Sequence, residues 1–416
     1  MNKILFLLLF TLISSVNALD REFLITDPIR DLSVGLLIFL VTIITSIGGI
    51  GGGGIFIPIY MLFGLFSLEE SIALSVSTIF GNSLMRFIIL YNKKHPQNNK
   101  RYLIDFSPVL ILVPFIGNFS FIGLLLSMYM PKLITIILII LVLGFAFYKS
   151  LKKGILRAIS ECRSNNNELI PVTVDGIEIN LTEKDIEEAV TINKQGDTLF
   201  GKIIYTIITF GVIVLISAFS ISRRYIKFCS IGYWLHILAQ FLVISLIGFG
   251  IVIFLRKKYV RNKENNYIFL KGDIKWSNCN IIKCIILASF TGIISTYMGI
   301  GGSMLIVPLL IGMEMKPQIV IATVAVSTFF SSLISTINYA IAGLLYWKYA
   351  FIYSLLSALG ALIGLLISDI MVRKIKKTFI LIFIVCFVIL ISIILLIINS
   401  IINSEGLLDF KIELNC

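Results

Sequence analysis

Long apolar runs separated by short polar segments make up most of the sequence. Such runs can cross a bilayer, because about 20 apolar residues in a helix span its hydrocarbon core. The runs fall approximately at residues 33–64, 68–91, 104–126, 131–150, 199–221, 235–255, 281–312, 317–340, 349–368 and 378–399. This pattern predicts an all-α polytopic membrane protein with about ten membrane segments, embedded in the lipid bilayer.

Glycines interrupt two of these runs. Residues 33–64 and 281–312 are too long for one ordinary span and too short for two. Their middles carry the glycine-rich stretches 48–54 and 299–302. We therefore predict that each run consists of two half-length helices joined by unwound glycines. Each pair would form a hairpin that returns to the side it entered from.

The interrupted runs open an internal repeat with a constant offset of 250 residues and no gap. Three pairs of segments align at this offset: Gly49–Gly52 with Gly299–Gly302, Pro58 with Pro308, and Val76–Phe80 with Val326–Phe330. Apolar helices match one another by chance, but chance does not explain glycines, prolines and Ser-Thr pairs that match at one offset. The sequence therefore predicts two equivalent repeats.

Basic residues predict the orientation of these repeats. The net charge of +12 comes from 35 Lys and Arg against 23 Asp and Glu, and the basic residues form short clusters beside the apolar runs. This is typical of cytoplasmic loops, so we expect no nucleic acid partner. The main clusters lie at residues 93–101, 149–157, 256–275 and 373–377. With an N-terminus outside the cytoplasm, all four are cytoplasmic only if both hairpins are re-entrant, which makes the repeats inverted. Arg223, Arg224 and Lys227 are then left outside.

Residues 1–18 are typical of a secretory signal peptide, with Lys3 before a short apolar core and Ala18 at a small-residue cleavage site. The chain would enter the secretory pathway and reside in the plasma membrane or an endomembrane. The remainder divides into a first transmembrane repeat at 33–150, a polar cytoplasmic loop at 151–198, two connecting transmembrane helices at 199–255, a second transmembrane repeat at 275–399 and a polar C-terminal tail at 400–416. The loop is too small for its own core, although residues 171–193 could form a strand or two and a short helix.

Unwound glycines inside a membrane favour anion binding. They leave backbone N–H groups free, and the helix that follows points its electropositive N-terminus at the same place, so no buried cation is needed. The predicted substrate-binding residues of this kind are Gly49, Gly51, Gly52 and Gly53 in the first repeat and Gly299, Gly301, Gly302 and Ser303 in the second. The polar candidates in the helices that follow are Ser77, Thr78, Asn82, Ser327, Thr328 and Asn338. Close helix packing, or a hydrogen bond between helices, is the alternative role for these six.

Catalytic and metal-binding chemistry has little support in the sequence. It holds two His and six Cys without a CxxC pair, no nucleophile beside a base and no nucleotide-binding glycine loop. We therefore predict that the chain is not an enzyme and needs no cofactor or metal. Arg86 is the one clear charge deep within a run, and we expect it to snorkel to the cytoplasmic interface. No Asp or Glu is expected to be buried.

At the paired motifs the sequence resembles the sulfite exporter TauE/SafE family of membrane proteins. The resemblance covers roughly 33–150 and 275–399 and rests on each glycine motif, the proline after it and the Ser-Thr pair that follows. It implies a multi-pass transporter of small anions, chiefly sulfite, related sulfur oxyanions or organosulfur compounds. The signal peptide, the 151–198 loop and the helices at 199–255 distinguish the chain from compact bacterial members and look like a eukaryotic branch. Ser303 also stands where the first motif has Gly53.

The leading hypothesis is a secondary transporter or exporter of small anions. Rocking of the repeats would alternate access to a site between the hairpins. An anion channel could use the same site. A membrane scaffold or receptor that acts through the 151–198 loop is an alternative from another class. The sequence leaves open the exact substrate, the transport direction, a coupling ion and the oligomeric state.

Overall fold

The computed structural model of the protein describes residues 27–47, 52–95, 98–163, 172–174, 177–179, 199–227, 230–264, 274–313, 315, 317–375 and 379–402. Within these ranges the chain forms twelve helices and two short β-hairpins. The helices are α1 (Pro28–Ile47), α2 (Gly53–Leu62), α3 (Leu68–Tyr91), α4 (Phe106–Tyr129), α5 (Lys132–Arg163), α6 (Leu199–Arg223), α7 (Ile231–Glu264), α8 (Asn278–Tyr297), α9 (Ser303–Gly312), α10 (Pro317–Ile341), α11 (Trp347–Ile375) and α12 (Phe379–Ile402). The strands are β1 (Lys94–His95), paired with β2 (Asn98–Tyr102), and β3 (Val172–Val174), paired with β4 (Ile177–Ile179).

Long apolar helices dominate the architecture and confirm the prediction of an all-α polytopic membrane protein. Nine of the described helices are long and apolar enough to cross a bilayer. On α7, the side chains of Leu238, Leu242 and Leu246 are 57%, 55% and 70% exposed. An apolar face of this kind suits contact with lipid rather than water.

The polar loop between the repeats starts later than its composition suggested. Helix α5 continues to Arg163, inside the 151–198 segment, before the hairpin of β3 and β4. The predicted signal peptide, most of this loop and nearly all of the C-terminal tail lie outside the described residues. The other hairpin, β1 and β2, lies in the basic segment between α3 and α4.

The first three helices of the two halves correspond closely. α1 and α8 have twenty residues each, α2 and α9 have ten each, and α3 and α10 have 24 and 25. The fourth helices exchange partners between the halves: α1 and α3 pack against α11, whereas α8 and α10 pack against α4. α3 and α10 also pack against each other. Such an exchange is what two repeats related by a pseudo-two-fold axis would show.

The two arms of each hairpin differ in length, so the expectation of two half-length helices was wrong. The first arm, α1, is about 30 Å long, and only α2, with ten residues, is a half-helix. The extra length of α1 comes from residues before the apolar run. Pro28 begins the helix and Asp31 lies in its first turn, and both residue types are favourable there. The N-cap Ser277 lengthens α8 in the same way.

Each hairpin returns to the end from which it starts. The Tyr349 hydroxyl donates a hydrogen bond of 3.0 Å to Asp31 near the start of α1, and the same ring lies 5.2 Å from that of Phe66, beyond the end of α2. In the second half, the sulfur of Cys284 in α8 lies 3.8 Å from that of Met313, at the end of α9. How the hairpins are oriented in the bilayer stays a prediction.

Two buried charges correct the sequence analysis. Arg86 is 1% exposed and does not snorkel, because α3 is packed between α10 and α11. Asp31 is also 1% exposed, against the expectation that no carboxylate is buried. It lies at the contact of α1 with α11, where Tyr349 covers it. Both side chains are buried by helices from the other half of the chain.

Candidate functional site

The two glycine-rich breaks meet at the interface between the halves. We call Gly52–Gly54 the first glycine junction and Gly299–Ser303 the second. A Cβ atom built on Gly53 would lie under 3.0 Å from the carbonyl oxygen of Ile300, which real Cβ atoms essentially never show. Only glycine allows this approach of the two backbones. The N-termini of the half-helices α2 and α9 therefore converge, which agrees with the predicted site between the hairpins.

Left-handed backbone at both junctions accounts for further glycines. The φ angles are +74° at Gly52, +61° at Gly299 and +80° at Gly301, a region that residues with a side chain rarely adopt. These residues break the helix and reverse the chain before the half-helices begin. Two candidates of the first repeat, Gly49 and Gly51, lie outside the described residues.

Ser75 on α3 bridges the two junctions, and the sequence analysis missed it. Its hydroxyl lies 3.0 Å from the carbonyl oxygen of Gly53 and 2.8 Å from that of Gly299. It therefore shares its proton between one carbonyl from each half. The search for paired motifs passed over Ser75 because the equivalent residue of the second repeat is Ala325. The serine is nevertheless part of the Ser-Val-Ser-Thr run, which was the available signal.

The predicted serines bond within their own helices. The Ser77 hydroxyl donates to the carbonyl of Leu74 at 2.8 Å, and that of Ser327 donates to the carbonyl of Thr323 at 3.1 Å. Both side chains are buried. Ser303, at the start of α9, is also buried in the second junction.

The two predicted threonines differ in their surroundings. The hydroxyl of Thr78 is hydrogen-bonded to that of Tyr60 on α2. At the position equivalent to Tyr60 the second repeat has Leu310, which cannot form this bond. The hydroxyl of Thr328 is buried and has no hydrogen-bond partner in the described part of the chain. A buried hydroxyl of this kind is unfavourable unless a ligand supplies a partner.

The two predicted asparagines lie in different places. Asn82 is at the first hairpin: its side-chain oxygen accepts from Ser46 at 3.4 Å, and its buried Nδ2 has no partner among the described residues. Asn338 instead bridges helices. Its Nδ2 donates to Ser120 on α4 at 3.1 Å, and its oxygen accepts from Ser220 on α6 at 2.9 Å. The structure thus separates Asn338 from the other candidates.

The junctions together form an electropositive point inside the protein. The first N–H groups of α2 and α9 lack partners within their helices and carry the positive ends of two helix dipoles. On α3 and α10, the helices that follow the hairpins, the Nδ2 of Asn82 and the hydroxyl of Thr328 are buried donors without partners among the described residues. This arrangement suits an anion. Among the described residues, no group of three or more His, Cys, Asp and Glu could hold a metal ion.

Sequence comparisons extend these observations to known proteins. The family model described as "Sulfite exporter TauE/SafE" matches residues 34–177 and 189–395. Sulfite exporter TauE/SafE family protein 5 of Arabidopsis thaliana is 27% identical over 344 residues, which cover 80% of this chain and 75% of that protein. Family protein 1 of the same plant is 26% identical over 354 residues, or 82% and 77% of the two chains. No solved structure matches.

The family match spans both halves of the chain and both hairpins. A family described as an exporter agrees with the expectation that the chain is not an enzyme. Relatives in a plant also agree with the resemblance to a eukaryotic branch. The chain belongs to the sulfite exporter TauE/SafE family.

Proposed function

We propose that this protein is a secondary transporter of sulfite or related small sulfur oxyanions and organosulfur anions. The observation that carries the proposal is the contact between Gly53 and Ile300, which brings the N-termini of two half-helices from opposite halves together. Helix N-termini bind anions through free N–H groups and the helix dipole. The family description and the names of the plant relatives support sulfite as the type of anion.

The substrate would lie between the two glycine junctions. Proposed contacts are the backbone N–H groups at the starts of α2 and α9 and the partnerless donors of Asn82 and Thr328. Ser77, Thr78 and Ser327 would line the helices around this point. Oxyanions accept several hydrogen bonds at once, so converging donors favour them over neutral solutes.

Alternating access would follow from separation of the junctions. In this structure the junctions touch, with Ser75 bonded to both, so an anion can enter between them only after the halves move apart. The hairpins open towards opposite ends of the fold. The first hairpin opens beside Tyr349, at the start of α11. The second hairpin opens where α10 begins, and Thr323 near the start of α10 accepts a hydrogen bond from the backbone N–H of Asp105, beside the basic segment that follows α3. These contacts support inverted repeats, which many secondary transporters use.

The decisive experiment is flux of radiolabelled sulfite in proteoliposomes. We expect flux above protein-free vesicles, and we expect Gly301→Leu to abolish it, because Gly301 has a positive φ and lies against Ile79. The matched control is Gly250→Leu on α7, since a Cβ at Gly250 meets nothing within 4 Å. Absence of flux for every small sulfur anion tested would contradict the proposal.

Two further measurements separate the alternatives. Unitary currents in a planar bilayer would indicate an anion channel instead of a transporter. For a scaffold that acts through the 151–198 loop, Gly301→Leu would leave the cellular phenotype intact, and deletion of residues 164–198 would abolish it. If the protein is a transporter, Gly301→Leu should abolish the cellular phenotype.

A further inference from the structure

Arg223 is a buried cation on α6, a helix that contains neither glycine junction. It lies in the last turn of that helix and is 7% exposed. Its guanidinium carbon lies 3.5 Å from the ring centroid of Phe121, and its Nη2 donates to the side-chain oxygen of Gln240. Its Nε is buried without a hydrogen-bond partner, and no carboxylate in the described ranges forms an ion pair with it. A buried charge without a counter-charge is unfavourable.

A cavity of about 240 Å³ adjoins this side chain. The lining residues with polar side-chain groups are Tyr129, Ser220, Arg223, Arg224, Tyr233 and Asn338, and the others are apolar. One water occupies roughly 30 Å³ in the liquid, so an oxyanion of four or five heavy atoms fits with room for water.

Hydrogen bonds hold the polar wall in place. The Ser220 hydroxyl donates to Asn338, which donates in turn to Ser120 on α4. Gln240 and the Phe121 ring fix the guanidinium. The site is therefore ordered before a ligand arrives, which lowers the entropic cost of binding.

The cavity lies at the end of the helices opposite the basic loops. Arg223 and Gln240 meet at one end of α6 and α7, whereas Tyr205 and Lys258 meet at the other, at 3.0 Å, beside the basic cluster that begins at Arg256. By the positive-inside rule, which places basic loops in the cytoplasm, the end that holds the cavity is the non-cytoplasmic end. The burial of Arg223 also explains why this basic residue lies at the non-cytoplasmic end: its side chain is packed inside the protein and does not belong to an exposed loop.

We propose that this cavity is a second anion site, which binds a small oxyanion with Arg223 as its counter-charge. The Arg223 side chain lines the cavity, and the charge-assisted hydrogen bonds that a planar guanidinium donates to an oxyanion are strong. This inference rests on the proposed function only for the identity of the natural occupant, which would be the transported anion at the non-cytoplasmic end. The cavity would hold the anion before or after its passage through the junctions.

The test is thermal unfolding of the full-length protein in detergent, titrated with sulfite and, separately, with sulfate. We expect the unfolding temperature of the wild type to rise saturably with anion concentration, because a ligand that binds only the folded state stabilises it. Arg223→Gln should weaken the apparent affinity about tenfold or more. Lys227→Gln removes an exposed charge nearby and should leave the affinity unchanged.

A purely structural role for Arg223 gives a different result. In that case Arg223→Gln lowers the unfolding temperature without anion but leaves the anion-dependent rise with the same size and midpoint concentration as in the wild type, and the proposal is overturned. If this variant does not fold, Ala342→Phe decides, because Ala342 lines the cavity and a larger side chain would fill it. A smaller or weaker anion response in Ala342→Phe than in the wild type supports the site, and an unchanged response refutes it.

Two other outcomes separate this site from its alternatives. An Arg223-dependent rise with mixed micelles of detergent and phosphatidylglycerol, without sulfite or sulfate, would identify a lipid headgroup site and overturn the proposal. Flux of sulfite without an Arg223-dependent anion response would overturn this inference alone. An Arg223-dependent response without flux of any anion would retain the site and remove the transport proposal.

Discussion

Replacing Gly53 by alanine tests whether the contact between the two glycine junctions is both tight and functional. The new Cβ would fall under 3.0 Å from the carbonyl of Ile300 and 2.5 Å from the Cδ1 atom of Ile79, whereas ordinary contacts are 3.4–4 Å. The Ile79 side chain can rotate away, but the carbonyl is backbone and can move only with its half of the protein. The junctions must therefore separate by about 1 Å to fit the methyl group.

The expected cost follows from this overpacking. Extra methyl groups in a well-packed core destabilise by about 1–3 kcal/mol, and a clash of backbone against backbone belongs at the upper end. The controls are Gly211→Ala and Gly250→Ala, at helix positions where a Cβ meets nothing within 4 Å. In each control the free energy of unfolding should rise by about 0.5–1 kcal/mol, because alanine favours helix more than glycine does.

Two assays on the same preparations check this prediction. In detergent, the free energy of unfolding of Gly53→Ala should be lower than that of the wild type, and the free energies of the two controls should be higher than that of the wild type. Sulfite flux in proteoliposomes should fall in Gly53→Ala and persist in the controls, because only Gly53 lies between the moving halves. A Gly53→Ala protein as stable and as active as Gly211→Ala would refute the close contact and the site built on it.

Three further predictions concern the bridge, the threonines and the topology. Ser75→Ala should destabilise by roughly 0.6–1.7 kcal/mol, the range for hydrogen bonds between membrane helices, as read by unfolding in detergent. Thr328→Val should leave stability unchanged or raise it but reduce sulfite flux, since it removes a hydroxyl without a partner, whereas Thr78→Val should lower stability by breaking the bond to Tyr60. Asn180, in the sequon Asn180-Leu181-Thr182, should stay unglycosylated in a eukaryotic host, and a glycosidase-sensitive gel shift would place the loop outside and contradict the charge argument.

The sequence predicted the features that depend on local pattern. Glycine at the breaks, the constant offset and the apolar lengths sufficed for the helical architecture, the paired hairpins and the convergence of Gly53 with the second junction. Glycine motifs carry this information because few other residues tolerate left-handed backbone or such close approach.

Features that depend on contacts between distant segments were missed. Asp31 is buried by Tyr349, which lies 318 residues away, and no local pattern marks that contact. Arg86 is close in sequence to the basic cluster that begins at Lys93, yet α10 and α11 of the other half pack against its helix and bury it. Ser75 was overlooked because only one repeat carries the serine.

The bond between Asp31 and Tyr349 has a consequence for synthesis. The two residues are 318 positions apart, and translation at about 5–20 residues per second takes roughly 15–60 s to cover that distance. During this time the first hairpin has left the ribosome but its covering helix, α11, does not yet exist. The N-terminal half must therefore persist in the translocation machinery or the bilayer as an incomplete intermediate until α11 has been synthesised and can pack against it.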